Sequence, residues 1–367
     1  MTLFRGVLGA SLLSEMALCP RLWTSDRPFP TVPVFLGLSD LPAIACLALV
    51  GLLVVSILLA ALHPRPRVAL WAVPLLGAIL VAFDIHRLQP WFYQAMLFFW
   101  ALGANGNGEG EERDGWAIIA TILSATYVWS GLHKFNAAFA QETFPWLLHP
   151  LGFEGLSPLW FLAPILETSA GILLFLPRTR TWGLGLVVAI HGFLLVALGP
   201  LGQDSNSVVW PWNLWMPVLA FLAFFRNSAP IFPAALRPLR GQAIVVAVAL
   251  LPAMNLFGRW DDYLSFSLYS GRSESGYLLL NENGVRRLPK SFQPYARSAT
   301  GREGLDIFRW SMETMNVPPY PQARVYESIG RRLLQAGVPP DDLTLVITEK
   351  PGFTDTRTRQ RIVPLLP

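Results

Sequence analysis

Residues 3 to 257 form a succession of apolar runs, each of helix length, separated by Pro, Gly and Arg clusters. Charge makes this pattern constraining. Residues 1 to 257 hold 13 Lys/Arg and 12 Asp/Glu, about a tenth of the stretch, whereas residues 258 to 367 hold 15 and 12, about a quarter. Soluble domains carry roughly a quarter charged residues. The first stretch therefore has the composition of a membrane protein and the second that of a soluble domain. The expected fold is an all-α polytopic membrane helix bundle of about eight or nine transmembrane helices over 1–257, followed by a small α+β domain over 258–367.

With about 20 residues needed per crossing, helices are expected at 3–19, 41–62, 68–86, 90–104, 115–134, 157–176, 182–199, 209–225 and 241–257. The first lacks a small-x-small cleavage site and reads as a retained helix. The fourth is short for a hydrocarbon core and reads as tilted or re-entrant. Gly103 to Asp114 (GANGNGEGEERD) reads as a flexible acidic loop. If all nine segments cross, one side carries Arg65, Arg67, Arg113, Arg178, Arg180, Arg226, Arg237 and Arg240, with Arg5 close by. The other side carries Arg21, Arg27, Arg87 and Lys134. The positive-inside rule then places the N-terminus in the cytoplasm and the C-terminal domain on the extracytoplasmic side of a plasma or bacterial inner membrane. Tryptophans at helix ends, among them Trp71, Trp91, Trp116, Trp182, Trp210 and Trp212, fit an aromatic belt at headgroup level.

Beyond residue 258 the period changes. Tyr263 to Gly271, Tyr277 to Asn281 and Leu343 to Glu349 read as strands, and Arg302 to Asn316 and Gln322 to Ala336 as helices. This segment lacks His and shows no nucleophilic triad, paired-carboxylate signature or phosphate loop, which fits a cap or binding platform. Basic residues are scattered without a basic stripe, which argues against a nucleic-acid partner. The two cysteines, Cys19 and Cys46, supply neither a disulfide framework nor a Cys-based zinc site, and packing is their reading; no metal is expected.

An ionisable side chain inside hydrocarbon is costly, so each one is a functional hypothesis. The set is Glu15, Asp84, His86, Arg87, His133, Lys134, Glu167 and His191. Asp84 and Arg87, three apart, read as a neutralising pair on one helix, and a mid-span His191 reads first as a neutral imidazole bonded to a neighbouring helix. Lys134 is more informative. The first 257 residues use Arg twelve times and Lys once. Arg cannot deprotonate, whereas a lysine desolvated in an apolar pocket can act as a base. Tyr127, Ser130, Gly131 and Lys134 recur at i, i+3, i+4 and i+7 and share one helical face. The bland account of Lys134 is a charge that snorkels from a helix end. His133 adds a second titratable group, and Glu167 needs a partner such as Lys134 or His191.

The segment TYVWSGLHKFNAAF resembles a helix of the vitamin K-dependent γ-carboxylase and of the wider HTTM (horizontally transferred transmembrane) group. ETSAGILLFLPRTRTWGLGLVVAIHGF is similar to that family's acidic-x-Ser-Ala-Gly helix, Arg-bearing turn and following His-containing helix, and HRLQPWFYQAMLFFWAL to its short polar-aromatic segment. Together these cover roughly residues 80 to 220. The resemblance implies that Lys134 matches the lysine that deprotonates vitamin K hydroquinone, with Lys134, His133, Glu167 and His191 as catalytic candidates. It also implies a quinol contacted by Tyr127, Ser130, Trp91, Tyr93 and Arg180. Two departures are evident: His133 stands where the carboxylase has a lysine, and the C-terminal region is far shorter than the carboxylase's luminal part.

Two functions follow as expectations. One is a quinol-dependent membrane enzyme, carboxylase-like lyase or oxidoreductase, with Lys134 as general base. The other is a non-catalytic membrane factor for maturation, export or binding of a secreted peptide or protein through the outer domain. Membrane lipids are partners in both. A transporter is disfavoured by the lack of an inverted repeat.

Overall fold

The computed structural model describes residues 1–35, 37–103, 109–225, 231–290, 292–299, 302–355 and 359–365. It is mostly helical, with one small sheet near the C-terminus. The apolar runs become α1 (Thr2–Leu18), α2 (Ala43–Leu62), α3 (Arg67–Phe83), α4 (Pro90–Gly103) and α5 (Glu109–Leu132). After a widened turn at Phe139–Thr143 come α6 (Phe144–Leu148), α7 (Leu162–Phe175), α8 (Arg180–Leu198) and α9 (Val209–Phe224). The short α10 (Phe232–Ala235) leads to α11 (Leu239–Val245), which continues through a π turn at Val246–Leu250 into α12 (Pro252–Asn255).

Among the described residues three helical stretches are long and apolar enough to cross a membrane: Ala43–Leu62, Gly110–Leu132 and Pro177–Leu198. They differ in surroundings. The window in α5 is 78% buried and that in α2 22%, so α5 is the central helix and α2 turns most of its apolar side chains outward. Ile44, Leu47, Leu52 and Val55 are all exposed on α2, a pattern that water penalises and lipid does not.

Chain direction alternates along the bundle. Leu18, at the end of α1, accepts a hydrogen bond from Asn316 of the C-terminal region, and the Ala137 amide, just beyond α5, donates to the Phe353 carbonyl. The opposite end collects the arginines. Arg5, Arg65 and Arg67 line one cavity there, and Arg237 pairs with Asp114 at the start of α5. The fourth segment is a single helix from Pro90 to Gly103, which packs against Leu70; it does not turn back on itself.

Beyond residue 258 an antiparallel sheet has the order β2-β3-β1-β4-β5, built from β1 (Ser275–Leu280), β2 (Ala296–Ala299), β3 (Arg302–Leu305), β4 (Leu343–Thr348) and β5 (Gln360–Val363). The short α13 (Glu282–Arg287) follows β1. Then α14 (Ile307–Met315) and α15 (Ala323–Gln335) cover one face, the latter through Val325, Tyr326, Ile329 and Leu333 at helical spacing. Trp310 of α14 packs on Phe29 at 4.7 Å and fixes this unit to the loop after α1.

Several expected boundaries change. Tyr263–Gly271 is not a strand: Phe266, Tyr269 and Gly271 have positive φ, which breaks an extended run. The expected helix 302–316 divides into β3 and α14 around Asp306, whose carboxylate caps α14 by accepting from the Arg309 amide. The acidic loop lies partly outside the described residues, and its Glu109–Asp114 end forms the first turns of α5. Arg226 also lies outside them. The third helix stops at Phe83, so Asp84 and Arg87 pair, at 3.9 Å, across the short 3₁₀ turn Ile85–Arg87 that follows it and not along α3. Both cysteines are free and buried.

Candidate functional site

Two glycines set the site's geometry. A Cβ on Gly131 of α5 would lie 2.5 Å from the Thr168 amide nitrogen, and one on Gly171 of α7 would lie 2.5 Å from the Ser124 carbonyl. The two backbones therefore meet along their length, as small residues permit. This apposition brings Lys134, two residues past α5, to Glu167 on α7: Nζ to Oε2 is 2.7 Å. Lys134 also donates to the Ser130 hydroxyl at 2.8 Å and to the Ser130 carbonyl at 3.1 Å. The three ammonium hydrogens thus have three acceptors.

A second polar chain lies across the same space. The Tyr127 hydroxyl is 2.7 Å from His191 Nε2, and His191 Nδ1 is 2.7 Å from the Asn213 side-chain oxygen. Asn213 donates its amide nitrogen to the Val209 carbonyl, which leaves its oxygen as acceptor. His191 then carries its proton on Nδ1, and Tyr127 donates to Nε2. The hydroxyl oxygen keeps a lone pair for a ligand.

Lys134, Glu167, Tyr127, His191 and Asn213 all line one cavity of about 350 Å³ between α5, α7, α8 and α9. Its remaining walls are almost entirely apolar. The lining residues that are also exposed are Leu156, Leu159, Leu162, Leu166, Ala189 and Phe193, so the rim is apolar as well. Leu268 and Tyr269 roof the cavity from the left-handed loop that replaces the expected strand.

The expected residues thus separate into two sets. Lys134, Glu167, His191 and Tyr127 converge, and Ser130 holds Lys134 in place. His133 does not join them. Neighbouring residues on a helical turn point about 100° apart, and the His133 ring is fully buried against Trp129, close to Lys350 and Arg272 of the C-terminal region. Trp91 packs against Trp23 and Phe92, and Tyr93 against Phe266. Arg180 lies at the start of α8, where its Nε donates to the Leu174 carbonyl and its guanidinium sits over Phe224. None of these four lines the cavity.

No family model, curated protein or solved structure matches the chain. The site therefore has to be argued from its own geometry. Two polar residues, Asn213 in the cavity wall and Gln94 behind it, are not among those the sequence singles out. Asn213 fixes the His191 tautomer, and Gln94 accepts from Trp212 Nε1 at 3.0 Å while donating to Thr126 at 2.9 Å. Both are amides inside apolar runs, and weighing buried amides as well as ionisable groups would have found them.

Two other ionic groups are buried outside the cavity. Asp84, Arg27, His86 and Arg87 cluster where the loop after α1 meets the turn after α3. The Asp84 and Arg27 side chains are both wholly buried, and Asp84 also binds His86 Nδ1 at 2.9 Å. At the junction with the C-terminal region Lys350 pairs with Asp262. There, burial holds the Lys350 ammonium below its ordinary value and raises the neighbouring Asp261 carboxyl. Among the described residues no group of three or more His, Cys, Asp or Glu side chains could hold a metal.

Proposed function

We propose that the chain is a membrane enzyme that binds a lipophilic, hydroxyl-bearing substrate of the quinol class in the α5–α7–α8–α9 cavity and removes its proton through the Lys134–Glu167 pair. In this reading all nine apolar segments cross the bilayer, with the arginine-rich end cytoplasmic and the outer region extracytoplasmic. One observation carries it: a lysine, a carboxylate and a Tyr–His chain face one apolar cavity whose rim is apolar too. A water-soluble substrate would meet greasy walls, whereas a quinol ring and the start of its tail suit both the walls and the volume. Lateral entry from lipid follows from the rim.

The net chemistry moves one proton from the substrate to the Lys134–Glu167 pair. Glu167 Oε2 takes a proton from Nζ, which leaves the amine with a lone pair. Lys134 then takes the hydroxyl proton of the substrate: an O–H bond breaks, an N–H bond forms and the anion is left beside the ammonium. Tyr127, held by His191, orients the other end of the ring. A positioned base contributes about 10²- to 10⁴-fold to rate.

Purified protein given a quinol and oxygen, with oxidised or epoxidised product measured, provides the test. The reading expects Lys134→Ala and Lys134→Arg to lose at least about 100-fold in turnover while the fold is retained. Inactive wild type across quinols, or full activity in both variants, would remove the lysine from this role. A silent Lys134→Arg is what a snorkelling charge would give.

The second reading, a factor that binds a secreted peptide, draws support from a larger polar cavity of about 860 Å³ at the junction with the outer region. Asp261, Asp262, Arg272 and Lys350 line it. If peptide capture is the function, Lys350→Gln weakens it while Lys134→Ala leaves it unchanged.

A further inference from the structure

The arginine-rich end holds a constellation that the cavity chemistry does not use. Arg5 of α1 is 7% exposed, yet its Nε has no hydrogen-bond partner, and its terminal nitrogens reach only the His63 carbonyl and the Thr2 hydroxyl, each at 3.4 Å. Among the described residues no carboxylate forms an ion pair with Arg5, Arg65 or Arg67. These three arginines share a cavity of about 280 Å³ whose apolar side is formed by Leu70 and Leu102.

The backbone adds to the positive field. Both α1 and α3 begin at this cavity, and neither has an acidic residue in its first turn or a side-chain cap. Free amides and the positive ends of two helix dipoles therefore face the same space as the guanidinium groups. A buried cation lacking a counter-charge is costly; the Met1 ammonium at the cavity's edge has Glu112 at 3.7 Å, while the three guanidinium groups call for an anion. The flanks call for something else. Leu3, Leu62 and Val68, beside the arginines in sequence, are 66%, 75% and 84% exposed, a surface suited to acyl chains.

We propose that this cavity binds the phosphate of an anionic phospholipid headgroup, with Arg5 at its floor and Arg65 and Arg67 at its mouth. The two outer arginines are exposed, so replacing them leaves the packing intact. The site is separate from the substrate cavity and stands without the enzymatic reading.

Native mass spectrometry of the full chain, released from detergent holding equal amounts of phosphatidylglycerol and phosphatidylcholine, tests the proposal. Wild type is expected to retain phosphatidylglycerol selectively. Near an anionic surface each basic residue is worth roughly fivefold, so Arg65→Gln/Arg67→Gln is expected to reduce that preference by about thirtyfold, with an unchanged elution volume as the folding control. Arg5→Gln should reduce it as well. Equal retention of the two lipids by wild type, or an unchanged preference in both variants, overturns the proposal. Displacement of the lipid by millimolar inorganic phosphate, with the same arginine dependence, assigns the cavity to a free anion and overturns it too.

Discussion

The protein buries two ion clusters in different ways. Around Asp84 the charges are sealed. Arg27 gives its remaining donors to the carbonyls of Phe29 and Leu22, and Arg87 donates to the Leu22 and Leu80 carbonyls, so the cluster is closed off by its own backbone. Around Lys134 the charges face a cavity, and only Ser130 and Glu167 bind the ammonium. A sealed cluster whose guanidinium groups are held by backbone carbonyls and Asp84 ties the loop after α1 to the turn after α3. A cluster that borders free volume can exchange a partner for a ligand. Burial alone does not distinguish the two; what lies beside the charges does.

The largest effect expected from this contrast is on stability. Asp84→Ala leaves Arg27 and Arg87 without a counter-charge in a space closed to water, and loss of one partner from such a cluster costs about 3–5 kcal/mol. A large fall in the unfolding temperature in detergent is expected. Next comes Gly131→Ala. Its Cβ would press on backbone atoms of α7, and overpacking of this kind costs about 1–3 kcal/mol; turnover should fall as well, because the same contact positions Lys134 against Glu167. Glu167→Gln is expected to cost only about 1 kcal/mol, since Lys134 keeps both Ser130 acceptors and borders the cavity, yet it should abolish proton removal. Equal unfolding temperatures for Asp84→Ala and Glu167→Gln would break the comparison.

Sequence went far toward the second cluster and not the first. Lys134 stood out as the one lysine among Arg-rich loops, and Glu167 as a carboxylate needing a partner. Helical spacing put Tyr127 and Ser130 on its face. Each of these is a local or compositional signal. The Asp84–Arg87 pair, three residues apart, is legible and is present at 3.9 Å, whereas the shorter contact from Arg27 is not, because Arg27 is 57 residues away. The left-handed loop at Phe266–Gly271 reads as a strand because aromatic residues and leucines are interleaved with serines there, while its positive φ values at Phe266, Tyr269 and Gly271 leave no such mark in the composition. His133 was assigned by adjacency to Lys134, although neighbours in sequence diverge in direction. The bundle's apolar segments were the most legible part, since lipid-compatible composition is written into every residue of a run.

The smallest expected effect separates a third kind of buried charge from the other two. Asp261 accepts the Tyr263 and Leu264 amides on one oxygen and the Gln322 amide on the other, beside the polar junction cavity. Burial raises its carboxyl above the ordinary aspartate range. A group raised in the folded state binds its proton more tightly there than in the unfolded chain, so stability from this residue is greatest at acid pH and declines as pH rises through the folded value. Asp261→Asn keeps an oxygen for the two backbone amides and removes the titration. The expected outcome is a flatter stability profile on the acid side of neutrality, read from unfolding temperature against pH, with a difference under about 1 kcal/mol at neutral pH. A profile that steepens in the variant would mean that the charged carboxylate is favoured in the fold, and the junction would then belong with the sealed cluster at Asp84.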